Sequence, residues 1–207
     1  IGMSGVRLEA ETTIIEGSTS FIKNLTKCVH RTGIDINELI ASPLAASSAV
    51  LNKRQKELGV VLLDIGGGTT SLIVFEEGEM LNLSVIPVGG SHITNDLAIG
   101  LRTSIDVAEK VKLEYGSALS SEIDKKEEID LSKISTTEEE AISRKQVAEI
   151  IEARLSEIFV LADKQLKKID RAGKLPAGVV LSGGASKLPG LVRSEERRVG
   201  KECRSRW

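Results

Sequence analysis

Two glycine-rich turns, each launched from a run of aliphatic and β-branched residues, limit what this chain can fold into. They are Asp64-Ile65-Gly66-Gly67-Gly68-Thr69-Thr70 and Leu181-Ser182-Gly183-Gly184-Ala185-Ser186. The run Gly59-Val60-Val61-Leu62-Leu63 ahead of the first has no polar alternation, which fits a strand buried on both faces. Asp64 then falls at the end of that strand, at the sheet edge. Glycines without a Cβ let backbone N–H groups approach an anionic oxygen, and the hydroxyls of Thr69 and Thr70 add donors, so Gly66, Gly67, Gly68, Thr69 and Thr70 form a candidate phosphate loop. Asp64 could hold a hydrated Mg²⁺, a hard ion that keeps its waters and takes one or two carboxylates beside substrate phosphates. The plainer alternative is a tight hairpin turn, because Thr70–Phe75 resumes as a strand.

The second turn follows another strand, Ala177-Gly178-Val179-Val180-Leu181, and leads to a short segment closed by Pro189-Gly190. A flat purine could lie on the side-chain-free surface of Gly183, Gly184 and Ala185. Two such turns in one chain read as two halves of a nucleotide cleft.

Those motifs, in this order, resemble the actin-like ATPase superfamily and, within it, the FtsA family of bacterial cell-division proteins. Asp64–Thr70 looks like the superfamily's phosphate-two motif, and Ser182–Gly190 like its adenosine motif. Between them, Val88-Gly89-Gly90-Ser91-His92-Ile93-Thr94-Asn95-Asp96-Leu97-Ala98 resembles the FtsA segment that leads into the next helix. Leu39–Leu51 resembles the connection between the two large lobes. The likeness extends from about Gly5 to Leu191. It implies an α/β, ribonuclease H-like second lobe: 1–41 would close subdomain 1C, 42–103 with 176–192 would form subdomain 2A, and 104–175 subdomain 2B. The first lobe with its phosphate-one motif would lie upstream of Ile1.

The resemblance also implies roles. Glu109 and Lys112 stand three apart on the predicted helix Ser104–Gly116 and so share a face. In the superfamily a Glu and Lys so spaced contact ribose and adenine; an ordinary surface ion pair is the alternative. Lys110 reads as outward-facing. Arg154 aligns with a basic position where FtsA family members dock the acidic C-terminal peptide of the ring-forming protein FtsZ. A solvated helix arginine is the other reading. Relatives such as MreB carry a Glu before the connecting-segment proline; here that residue is Ser42, a weak water-positioner and poor general base. At most slow ATP hydrolysis is therefore expected, with Mg-ATP acting to close the lobes and license filament formation.

As a whole, the implied protein polymerises and tethers the FtsZ ring to the cytoplasmic face of the inner membrane, through a C-terminal helix that would lie beyond Leu191. The alternatives are the actin-like pilus-assembly protein PilM, and a metabolite kinase or phosphatase on the same core. The last would need a catalytic carboxylate and small-substrate pocket in the first lobe.

Arg193–Trp207 continues no periodicity and turns abruptly basic. It reads as the in-frame translation of a common sequencing adapter and is left out of fold reasoning; a basic arm for nucleic acid or anionic lipid is the alternative, and no nucleic-acid partner is expected. Without it, Lys plus Arg falls from 28 to 22 and Asp plus Glu from 30 to 27, a mildly acidic chain. The one remaining thiol, Cys28, cannot form an intramolecular disulfide, which suits a reducing cytoplasm. It lies among Phe21, Ile22, Leu25 and Val29 on a predicted helix Ser18–Arg31, so burial is expected over catalysis. No apolar run approaches the roughly 20 residues of a membrane span.

The remaining elements follow from punctuation. Val6–Ile15 alternates like a strand, Ser42 and Pro43 suit an N-cap and first helical position, and strands are expected at 60–64, 70–76 and 80–87, with Glu77-Gly78 turning the last pair. The helix after Ser104 should bury Ile105, Ala108, Val111 and Tyr115. A weak strand is expected at Glu128–Leu131. A long helix from Ser143 should bury Val147, Ile150, Ile151, Ile158, Leu161, Leu166 and Ile169. His30 and His92 are expected to be structural.

Overall fold

In the computed structural model, the described residues are 7, 9, 12–134, 141–194 and 203–205. They fall into two units, Ile1–Ser42 and Pro43–Trp207. In the first, Ser18 precedes helix α1, Thr19–Arg31, which buries none of its residues. Cys28 is exposed there, which corrects the expected burial: an amphipathic helix buries its apolar face only where a partner surface covers it. The expected strand 6–15 is also corrected, since Thr12–Ile15 take no strand pairing; residues 6, 8, 10 and 11 lie outside the described set.

The second unit is built on the doubly buried run seen in the sequence. Strand β1, Val60–Ile65, pairs antiparallel with β2, Thr70–Glu76, which pairs with β3, Glu79–Ile86. The β2–β3 turn has positive φ at both Glu77 and Gly78, the twist-matched geometry of a two-residue hairpin. Helix α2 covers Ser42–Val50, one residue earlier than expected, so Ser42 is its first helical residue rather than its cap. Asn52 and Gln55 form a capping box on α3, Lys53–Leu58. Leu62, Ile73, Phe75 and Val180 pack with Leu51 and with α2 residues Leu44, Ala46 and Val50 on one sheet face.

The opposite face carries the larger core. Helices α4, Gly90–Leu101, and α5, Ile105–Tyr115, follow β3. A small hairpin of β4, Glu128–Asp130, and β5, Ala141–Ser143, then leads into α6, Arg144–Lys168, whose N-cap Ser143 accepts from the Gln146 N–H. Val61, Leu63 and Ile65 of β1 join Ile93, Leu97, Val111, Ile151, Leu155 and Ile158 in this layer. Two expected faces shift. On α5, Val107 is buried and Ile105 is 61 % exposed, because α4 and α6 cover the Val107–Ala108–Val111 side. On α6, Ala148, Leu155, Phe159 and Ala162 join the core, while Ile150 and Leu161, and Ile169 just past the helix end, are only partly buried at its margin.

Strand β6, Val179–Ser182, returns parallel to β1, in register Asp64 with Ser182. This parallel step is what brings the two glycine turns together. Three further residues, Cys203–Ser205, form β7 alongside β6, giving the order β3-β2-β1-β6-β7. The exclusion of 193–207 from the fold is thus corrected for these residues, and for Arg193, whose guanidinium pairs with Glu122 at 2.8 Å. Backbone pairing along an open sheet edge asks little of side-chain identity, so sequence pattern gives no warning of it.

Candidate functional site

Adjacent parallel strands present their carboxyl ends at the same sheet edge, and ligands of open α/β sheets bind there. Here β1 and β6 deliver Gly66–Thr69 and Gly183–Ser186 side by side. Helix α4 completes the frame: the Gly90 and Ser91 N–H groups donate to the Gly66 and Gly67 carbonyls, each at 2.8 Å. His92 Nδ1 accepts the Gly89 N–H at 3.1 Å, so this imidazole caps α4. A Cβ on Gly89 would stand 2.6 Å from both the Gly66 and Gly67 carbonyl oxygens, so only glycine lets helix and loop approach this closely.

The loop carbonyls are thus turned into protein. Among the described residues, the N–H groups of Gly67 and Gly68 meet no protein acceptor. That polarity suits an anion. Thr70 lies apart from this donor set, against expectation: it is fully buried, and its hydroxyl donates to the Val88 carbonyl at 2.8 Å, bracing the turn instead. Thr69 is exposed on the loop.

A cavity of about 350 Å³ opens between the turns, at the low end of the usual small-molecule range. The lining includes Gly66, Gly67, Glu109, Lys112, Gly184 and Ala185, six of the residues singled out in the sequence. Asp64, Gly68, Thr69, Thr70 and Gly183 do not line it. A Cβ on Gly184 or Gly68 would meet no protein atom within 4 Å. At Gly184, then, packing does not demand glycine, and the residue borders the cavity. Asp64 is half-buried at the end of β1, and a Cβ on Gly183 would stand 2.6 Å from its Oδ1.

Glu109 and Lys112 form an ion pair at 2.6 Å, with side chains 42 % and 11 % exposed respectively. The Lys112 ammonium also donates to Thr94 Oγ1 at 2.8 Å and the Gly90 carbonyl at 3.3 Å, which engages all three of its protons. Burial pushes the Glu109 carboxyl up, but hydrogen bonds from Lys112 and Thr94 outweigh it and hold the group below the usual carboxylate range. The pair is therefore a fixed, ionised wall of the cavity. Lys110 points away, toward the Ile134 carbonyl.

Sequence reasoning did not select Gly90, Ser91, Ile93, Leu113, Lys187, Leu188 and Pro189, which also line the cavity. Gly90, Ser91 and Ile93 lay within the quoted Val88–Ala98 segment. Lys187, Leu188 and Pro189 lay within the quoted Ser182–Gly190 motif, and Leu113 carried no pattern of its own, since an exposed leucine is ordinary until a pocket forms beside it.

Arg154 lies away from the cavity, on α6. Its Nε and Nη2 grip the two oxygens of Asp96 on α4 at 2.6 and 2.8 Å, and Nη1 pairs with Glu157. The arginine is thus tied to α4, the helix that braces the phosphate-loop candidate.

The family model described as cell division protein FtsA matches residues 61–206. The chain belongs to the FtsA family. It is 44% identical over 190 residues to the cell division protein FtsA of Bacillus subtilis, an alignment covering 92% of this chain and 43% of that protein. It is 39% identical over 196 residues to FtsA of Pseudomonas aeruginosa, covering 95% of this chain and 47% of that one. The chain therefore spans less than half the length of these FtsA relatives. Among solved structures, MreB5 of Spiroplasma citri bound to ADP superimposes with a TM-score of 0.71 at 22% identity, covering 92% of this chain and 62% of that one. The fold is accordingly the actin-like one.

Proposed function

We propose that this chain supplies the nucleotide-binding second lobe of a division protein that binds Mg-ATP, polymerises, and tethers the FtsZ ring to the cytoplasmic face of the inner membrane. Subdomain 2A would comprise 42–103 and 176–192, subdomain 2B 104–175, and 1–41 the end of 1C. The observation that carries the nucleotide reading is the cavity between two glycine turns, bordered by Gly66 and Gly67 from the first and Gly184 and Ala185 from the second. Free amides of Gly67 and Gly68 suit phosphate oxygens, the Glu109 carboxylate suits sugar hydroxyls, and the apolar wall of Ile93, Leu113, Leu188 and Pro189 suits a base.

Asp64 would hold Mg²⁺ through its waters, and the ion would neutralise phosphate charge. Among the described residues no group of three or more His, Cys, Asp or Glu gathers to hold a metal by itself. A single carboxylate beside a phosphate loop fits an ion brought in with its nucleotide. Each step this chain can perform is one of binding: the loop orients phosphates, the Glu109–Lys112 wall orients the nucleoside, and Ser42 adds no strong base. Slow turnover follows. Arg154 is the proposed contact for the acidic FtsZ peptide.

The experiment is calorimetric titration of the full-length protein with ATP, with and without Mg²⁺. Asp64→Ala is expected to abolish the Mg²⁺-dependent part of the affinity, a loss of at least about tenfold. Unchanged Mg²⁺-dependent affinity in the folded variant would reduce Asp64 to a turn residue.

A further inference from the structure

Thr94 is absent from every motif role considered so far, and it does not line the cavity. It is 3 % exposed on α4, with its hydroxyl 2.5 Å from Glu109 Oε2, 2.8 Å from the Lys112 ammonium and 3.1 Å from the Gly90 carbonyl. A hydroxyl has one proton, and the shorter contact assigns it to the carboxylate, leaving a lone pair to accept from Lys112. Lys112 also donates to the same Oε2 at 2.6 Å. Two donors thus converge on one oxygen of Glu109. Among the described residues, Oε1 has no protein partner, and Glu109 borders the cavity.

We propose that Thr94 is a positioning residue that fixes the plane of the Glu109 carboxylate, so that its free oxygen is presented to the vicinal hydroxyls of a ribose. The proposal rests on the nucleotide reading above. The terminal torsion of a glutamate is broad and roughly two-fold, so an ion pair alone leaves the carboxylate plane loose. A closed triangle of Lys112, Thr94 and Glu109 removes that freedom. A fixed carboxylate oxygen gives a diol strong, charge-assisted hydrogen bonds, and their value depends on the oxygen being held in advance. Thr94 accordingly governs selection of the sugar without touching it, while the phosphate and base contacts are made elsewhere.

The test compares the affinities of the full-length protein for Mg-ATP and Mg-2′,3′-dideoxy-ATP. The parent is expected to prefer ATP by about tenfold or more, the scale of losing a hydrogen bond to a charged group. T94V should keep the dideoxy affinity but bring the ratio to within about threefold, because the released carboxylate no longer rewards hydroxyls. T94S, which retains the hydroxyl, should restore the ratio. If T94V does not fold, T94A serves in its place. A variant without the hydroxyl that keeps the parent's ratio, even with both affinities lowered, overturns the proposal and shows a merely structural threonine. A parent that binds both nucleotides equally overturns it while sparing the nucleotide reading; a parent that binds neither removes both.

Discussion

Gly183→Ala is expected to lower the melting temperature of the full-length protein markedly and to abolish nucleotide binding. Gly183 has φ +87° and ψ 168°, a region essentially reserved for glycine, where a residue with a Cβ costs about 1–3 kcal/mol. The new Cβ would also stand 2.4 Å from the Ile65 carbonyl oxygen and 2.6 Å from Asp64 Oδ1. The Asp64 carboxylate can swing aside, but the Ile65 carbonyl is strand backbone and cannot. Relieving the clash requires the ends of β1 and β6 to part, which costs about 1–3 kcal/mol by analogy with overpacked cores. The sum, about 2–6 kcal/mol, corresponds to a fall of several °C, on the order of 10 °C at most for a protein of this length. Gly184→Ala, one position on, is the control. Its Cβ meets no protein atom within 4 Å, so melting should stay within about 2 °C of the parent while nucleotide affinity falls about tenfold or more. A Gly184→Ala protein that binds ATP like the parent would take the second turn out of the site, whatever Gly183→Ala does.

The second large effect is expected at Arg154. Charge reversal, Arg154→Glu, would set a third carboxylate beside Asp96 and Glu157, in a pair whose side chains are only 25 % and 27 % exposed. Breaking such a partly buried bidentate pair costs about 2–4 kcal/mol, below the fully buried case because water still screens it. A drop in binding of an acidic FtsZ peptide to this variant would therefore mix lost stability with lost contact. Asp96→Asn separates them. It loosens the grip on the guanidinium without removing it, so a peptide that docks on Arg154 should bind several-fold more tightly, as one competing carboxylate is gone. Thermal melting and peptide titration of both variants decide the matter. Peptide affinity unchanged in Asp96→Asn, with loss in Arg154→Glu only in proportion to unfolding, would assign Arg154 to bracing α4 alone.

Local pattern made much of this protein legible. The unbroken run Val60-Val61-Leu62-Leu63 could satisfy its apolar side chains only between two layers, and it does, with all four at most 3 % exposed. The positions of the glycine turns, the Glu77-Gly78 hairpin, the helix starts near Ser18 and Ser143 and the i, i+3 pairing of Glu109 with Lys112 follow likewise from short-range geometry. Membership in the FtsA family rested on the same motifs. Each of these depends on residues within a few positions of one another, where backbone sterics and side-chain reach leave few choices.

What the sequence could not decide is which faces and hydroxyls the fold would use up. Ile105 and Val107 are equally apolar, yet only the cover provided by α4 and α6 buries Val107 and leaves Ile105 in water. Cys28 sits on an amphipathic helix that buries nothing within its unit. Thr69 and Thr70 are chemically alike, but Thr69 stays exposed on the loop while Thr70 opens the doubly buried β2 and turns inward to Val88. Arg154 reads as a solvated helix charge until Asp96, on another helix, is brought to it. Thr94 gains its place only when α4 and α5 pack. The sequence determined the elements and the chemistry each could offer, because those are local; the tertiary structure alone set Asp64 beside Ser182, and with them the two turns around one cavity, because only the parallel pairing of β1 with β6 brings together groups so far apart in the chain.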